Sequence, residues 1–196
     1  MNPLDKSEKK GVRLRVVGGT SKGRRLKALK GLDIRPTSDK VKESIFNIIG
    51  DKIIDAIFLD LCAGAGGIGV EALSRGAKET VLVENNQRAV KLIKENLLLC
   101  NLEKDSKAVS NDAVRFLEDS DKRFDIIFFD PPYKSDLFEK AMAVFDRKEL
   151  LNNNGILIIE HNSKTALPEE TNSLILLKKY KYGDTTLSLY KKRGLR

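Results

Sequence analysis

From Ala56 onward, short apolar runs take turns with stretches whose apolar residues recur every three or four positions. The runs Ala56–Leu61, Thr80–Glu84, Lys107–Val109, Phe124–Asp130 and Ile156–Glu160 predict strands. Between them, Gly67–Arg75, Gln87–Cys100, Ala113–Glu118 and Leu137–Phe145 predict helices. Such alternation winds a mostly parallel sheet with helices on its faces. Beyond Pro168 the helical spacing stops, and Leu174–Tyr180 and Thr185–Tyr190 predict a closing antiparallel hairpin turned at Tyr182-Gly183-Asp184. Ahead of the alternation, Leu14–Val17 and Arg24–Leu29 around Gly18-Gly19-Thr20 predict a small hairpin. Val41, Ile45, Ile48 and Ile49 then recur at helical spacing until Gly50 ends the run, with Thr37 or Ser38 as its cap and Pro36 holding Arg35 extended. The chain shows no internal repeat and no low-complexity linker, so it divides into a disordered extension (1–12), a basic hairpin and helix packed on the rest (13–50), and one α/β domain (51–196).

Composition narrows the class. With 196 residues, 41% of them hydrophobic and 33% charged, the chain is long enough for one full core, and no apolar run reaches membrane-spanning length. Met1–Lys10 is polar, without the apolar centre of a secretory signal, which points to the cytoplasm. Cys62 and Cys100 form no CxxC pair, and the single histidine, His161, completes no zinc spacing with them, so neither a metal nor a disulfide is expected. The net charge of +8 is segregated: residues 1–30 carry +8, residues 178–196 carry +6, and the middle carries −6. Basic ends on an acidic centre suit a polyanion such as RNA, with Lys22, Arg24 and Arg25 as contacts; the plainer alternative is a pair of solvated termini.

Two stretches carry the chemistry. Asp130-Pro131-Pro132-Tyr133 follows the most apolar strand; the prolines fix the backbone and leave carbonyls free, an acid precedes them and an aromatic ring follows. This arrangement suits a planar base with an exocyclic amine, Asp130 accepting the amine hydrogens and Tyr133 covering the ring, though X-Pro-Pro is also a common surface turn. The second stretch, Asp60 to Gly69, holds a G-x-G-x-x-G between a strand and a helix, and Glu84 ends the next strand twenty positions after Gly64. That pattern fits a nicotinamide or an adenosyl cofactor. Asp60 near a ligand ammonium and Asp112, before Ala113, near an adenine amine favour S-adenosylmethionine, whose two cations the carboxylates stabilise. A turn at Asp60 and a helix cap at Asp112 are the structural alternatives. Cys62 reads as a small apolar filler and His161 as a packed or solvent-facing histidine.

The order of these features resembles the RsmD family of bacterial small-subunit ribosomal RNA guanine-N2 methyltransferases. The resemblance runs from Arg15 to Tyr190, through Arg15-Val16-Val17-Gly18-Gly19 with Lys22-Gly23-Arg24, Arg35-Pro36-Thr37, the Asp60–Gly69 loop with Glu71 to Ala77, Asp130-Pro131-Pro132-Tyr133 and Tyr182-Gly183-Asp184-Thr185. It implies the class I S-adenosylmethionine-dependent methyltransferase fold, Rossmann-like, with a seven-stranded mostly parallel sheet and one antiparallel strand. It also implies a guanine of 16S rRNA in an assembling small subunit as substrate; a monomer needing no metal and no membrane is the accompanying expectation. The site is then Asp130, Pro131, Pro132 and Tyr133 for catalysis, and Asp60, Ala63, Gly64, Gly66, Gly69, Glu84, Asp112 and Ala113 for the cofactor. Lys22, Arg24, Arg25, Arg35 and Thr37 are left for RNA. Cys62 and Ala65 depart from related loops, which often carry an aromatic and a hydroxyl residue there. Three other readings stay open: an N6-adenine methyltransferase of DNA or RNA, since Asp-Pro-Pro-Tyr serves both; a dinucleotide oxidoreductase; and a non-catalytic RNA-binding assembly protein.

Overall fold

The computed structural model of the protein describes residues 14–28, 38–132 and 136–194. Arg35, Pro36, Thr37 and Tyr133 lie outside the described residues. Strands β1 (Ile57–Leu61), β2 (Glu79–Glu84), β3 (Ser106–Ser110), β4 (Phe124–Phe129), β5 (Leu151–Asn162), β6 (Leu174–Tyr182) and β7 (Thr185–Lys192) form one sheet in the order β3-β2-β1-β4-β5-β7-β6. The first five pair in parallel, while β7 runs antiparallel to both β5 and β6. Helices α1 (Asp39–Ile49), α2 (Gly67–Ser74), α3 (Gln87–Leu99), α4 (Ala113–Asp119) and α5 (Leu137–Arg147) cover it.

Alternate strand residues feed two apolar layers, as the two-residue period requires. Phe58, Leu82, Phe128 and Ile158 pack with α1, α2 and α3, whereas Leu59, Val81, Ile127 and Leu157 pack with α4 and α5. The β4 run is apolar on both sides because both sides are covered.

The structure departs from the sequence pattern at two places. Asn152-Asn153-Asn154-Gly155 carries no strand signal, yet β5 starts at Leu151. A register shift opposite Phe124 and Ile126 accommodates the extra residues, and the Asn152 amide donates to Asp125 at 2.6 Å. The expected N-terminal hairpin is a single antiparallel bridge, Arg15 to Arg25, rather than two strands. Val16 carries the ladder one step further, its N–H donating to the Arg24 carbonyl and its carbonyl accepting from Gly23 N–H, both at 2.9 Å, and beyond it the chain bonds to α2. Val17 N–H donates to Glu71 at 2.7 Å, Thr20 N–H to the Ser74 carbonyl at 2.7 Å and Ser21 N–H to Ser74 Oγ at 2.9 Å.

Glu71 anchors this attachment. It is fully buried, accepts from Arg75 Nε at 2.8 Å, and stands 3.9 Å from the ammonium of Lys42, which is itself buried on α1 and donates to the Arg15 carbonyl. Burial lowers the Lys42 pKa, and the charges of Glu71 and Asp39 pull it back up. At the other end of the sheet, the outer strand β6 exposes Lys178, Lys179 and Lys181.

Replacing Glu71 by alanine leaves the Val17 amide without its acceptor and takes from the Lys42 ammonium its buried counter-charge, with Asp39 at 3.8 Å and the Arg15 carbonyl remaining. We expect a loss of about 3–5 kcal/mol of stability, read as a lower urea midpoint; an unchanged midpoint would remove Glu71 from this role.

Candidate functional site

Parallel pairing brings several strand tips to one edge. Asp60 in β1 stands level with Leu82 of β2 and Phe128 of β4, so the residues following those strands emerge side by side. Asp130, immediately after β4, reaches back with its N–H to the Leu61 carbonyl at 3.4 Å. Pro131 is buried behind it and Pro132 is exposed. The glycine loop leaves β1 at the same tip. Its Cys62 and Ala63 N–H groups both donate to the Val83 carbonyl, at 3.0 and 2.9 Å, and Gly66 N–H donates to the Ala63 carbonyl at 2.7 Å.

Backbone geometry explains the loop's composition. Gly64 at φ 54° and Gly66 at φ 79° occupy the left-handed region, and a methyl at Gly69 would stand 2.4 Å from Leu82. Cys62 holds φ 70° with a side chain present, a strain of roughly 1–2 kcal/mol.

Carboxylates surround this loop. Asp60 is buried and accepts from Gly69 N–H at 2.8 Å. Glu84, at the end of β2, accepts from Gly64 N–H at 2.8 Å and from Asn86 N–H at 2.9 Å, leaving further lone pairs on both oxygens. Asp112 caps α4, Oδ1 accepting from Val114 and Arg115 N–H at 2.9 and 3.1 Å, with buried Ala113 as the first helical residue. The helix cap anticipated as the structural alternative is therefore present, and it occupies only one of that side chain's oxygens.

Burial raises the Asp60 carboxyl to about 7, helped by the negative charges of Asp130 and Glu84 and opposed by the Gly69 bond. Burial raises Asp130 as well. Among the described residues no lysine or arginine forms an ion pair with Asp60, Glu84, Asp112 or Asp130. At Asp60 and Asp130 burial instead favours the neutral carboxyl. The Cys62 thiol feels the same environment: burial, then the four carboxylates, hold it protonated, which removes it as a nucleophile. His161 is buried, its Nε2 2.8 Å from Ser188 Oγ and its Nδ1 2.9 Å from the Asn162 carbonyl, and burial keeps it neutral.

Lys22, Arg24 and Arg25 are exposed and form no ion pair among the described residues. Their turn sits at the C-terminal end of α2, whereas the glycine loop enters at its start, about 12 Å away for eight residues at 1.5 Å rise. The stretch that follows them returns to the loop through Asn96, a residue the sequence reading passed over. Asn96 lies on the apolar stripe of α3 with Ala89 and Ile93, and a polar residue in that stripe was the available signal.

The profile of the family described as Conserved hypothetical protein 95 matches residues 14–191. YlbH of Bacillus subtilis (strain 168), whose name provisionally makes it an rRNA methyltransferase, is 42% identical over 184 residues, covering 92% of this chain and 100% of that protein. Ribosomal RNA small subunit methyltransferase D of Escherichia coli (strain K12) is 29% identical over 181 residues, 92% of this chain and 91% of that one. Among solved structures, one from Escherichia coli provisionally described as the methyltransferase yhhF superposes with a TM-score of 0.82 at 30% identity, covering 92% of this chain and 98% of that one.

The raised carboxyl has a measurable consequence. Its neutral form is favoured in the fold, so the stability it contributes is complete below the unfolded value of 3.8 and is lost as pH rises to about 7. Asp60→Asn removes that loss. Its stability relative to the native chain is expected to climb from pH 4 to pH 7 and level off above; a difference that does not change with pH would contradict the assignment.

Proposed function

The chain belongs to the family of Conserved hypothetical protein 95, and on that premise we propose that it transfers a methyl group from S-adenosylmethionine to the exocyclic N2 amine of a guanine in 16S rRNA. The observation that carries the reading is the meeting of Asp130 with the glycine loop at one sheet edge, among carboxylates that form no ion pair with a lysine or arginine among the described residues. Guanine N2 as acceptor, and an assembling small subunit as the setting, follow from the resemblance of the Asp130–Tyr133 and Arg35–Thr37 motifs to the RsmD family.

The residues present fit the cofactor. Asp60 answers an ammonium, Glu84 answers ribose hydroxyls with the lone pairs that Gly64 and Asn86 leave, and Asp112 answers an adenine amine with the oxygen outside the helix cap. Gly64 and Gly66 let the backbone come close, and Ala63 and Ala113 add small walls. When bound, S-adenosylmethionine supplies an electrophilic methyl on a sulfonium.

The protein's part is orientation. Asp130 and the carbonyls of the Pro131 region accept the amine hydrogens, which draws the nitrogen lone pair out of conjugation and aims it. Asp130, raised by burial, is also suited to take the proton that the alkylated nitrogen releases. Tyr133 covers the base plane. A paired guanine cannot present N2 in this way, so the target is a loop or flipped nucleotide. Lys22, Arg24 and Arg25 hold phosphates along the α2 flank, and Arg35 and Thr37 are assigned to RNA by the resemblance alone.

Incubation of the purified protein with labelled S-adenosylmethionine and 16S rRNA, free and in small-subunit particles, followed by nucleoside mass spectrometry, tests the proposal. N2-methylguanosine is expected. N6-methyladenosine would transfer the reading to the adenine class, and donor binding without transfer would leave an RNA-binding protein.

Two variants probe the parts. Asp130→Ala is expected to lower the transfer rate by at least a hundredfold while donor affinity in calorimetry changes little; equal rates would remove Asp130 from the mechanism. Removing Lys22, Arg24 and Arg25 one at a time should each make the salt dependence of RNA binding shallower by about one unit of slope. An unchanged slope would return these charges to plain solvated surface.

A further inference from the structure

One side chain joins the N-terminal segment to the glycine loop. Asn96 is fully buried on α3. Its Oδ1 accepts from Lys27 N–H at 2.8 Å, and its Nδ2 donates one hydrogen to the Lys27 carbonyl at 3.0 Å and the other to the Ala65 carbonyl at 2.9 Å. Only a primary amide of this length supplies two donors and an acceptor in one plane; a carboxylate has no donor and a hydroxyl has one. Ala65 is the residue between the two left-handed glycines, so the bond fixes the peptide in the middle of the turn. Lys27 is an exposed residue two positions beyond Arg25, and its side-chain pair with Glu95 is itself largely solvated. The backbone bonds to Asn96, rather than that ion pair, tie the segment down.

We propose that Asn96 is a positioning residue that makes RNA binding along Lys22–Arg25 and methyl-donor binding at the glycine loop cooperative. The inference rests on the functional reading above, which gives the segment and the loop those two ligands. Phosphates held on the segment restrain Lys27, Lys27 restrains the Asn96 amide, and the amide restrains the Ala65 peptide. RNA thereby removes freedom that the donor would otherwise have to remove, and the donor by reciprocity tightens RNA.

Calorimetric titration of S-adenosylmethionine, alone and with saturating 16S rRNA, tests this on the full chain. In the native protein RNA is expected to lower the donor Kd by at least about fivefold. Lys27→Ala keeps the N–H and should keep that ratio, whereas Lys27→Pro removes the N–H and should bring the ratio towards one, as should Asn96→Ala. A fall in melting temperature in Asn96→Ala with the ratio intact would assign Asn96 to packing alone and overturn the proposal. Should Asn96→Ala fail to fold, the two Lys27 variants decide: equal ratios overturn it, divergent ratios support it. A native ratio of one, with donor and RNA both bound, also overturns it. Failure of the native chain to bind donor at all would instead strike the functional reading.

Discussion

A parallel ladder ends all its strands at one edge, and this constraint places every part of the site. Because β1 is hydrogen-bonded to β2 on one side and β4 on the other, the loop after β1, the acid closing β2 and the acid after β4 must arrive together. No side-chain contact is needed to assemble them. What side chains add is definition: Glu84 pulls the Gly64 amide in, Asp60 holds the Gly69 amide, and the Val83 carbonyl takes both amides at the loop's start.

Electrostatics then separates the two ligands in space. Burial, then the negative charges of Asp130 and Glu84, raise Asp60, and the carboxylates at the strand tips favour a cationic small molecule there over a polyanion. The exposed arginines and lysine of the N-terminal turn lie a helix length away, on a segment welded to α2 by Glu71 and Ser74. On the proposed function, an RNA is held at its backbone on the flank while a single base enters the acidic edge. The buried Lys42 and Glu71 pair makes that attachment part of the core, which fixes the spacing between the two charge regions.

Much of this was legible in the sequence, and the reasons differ by element. The β1 to β5 alternation could be read because both layers are apolar, which leaves short continuous apolar runs between helical stretches, and the turn at Tyr182-Gly183-Asp184 because glycine breaks the last of them. Gly64, Gly66 and Glu84 could be read because spacing between a strand and a helix constrains them. The N-terminal bridge was less legible because the amides of Val17, Thr20 and Ser21 bond to α2, far away in sequence, and strand propensity says nothing of such partners. The start of β5 was hidden because Asn152 replaces apolar pairing with one hydrogen bond to Asp125. Asn96 looked like a flaw in an amphipathic helix, and only tertiary structure shows that its three bonds reach two distant segments.

The sheet also ends somewhere, and how it ends matters for a sticky shape. Strand β6 has β7 on one side; on the other, the Glu170 bridge to Ile175 and the Leu176 N–H bond to the Glu169 carbonyl cover only its first residues, so the rest of its outer row of peptide groups is an invitation to any passing strand. Three ammonium groups, on Lys178, Lys179 and Lys181, stand along that rim. Docking a second rim against it would crowd like charges and strip their water, so this rim is guarded from pairing edge to edge.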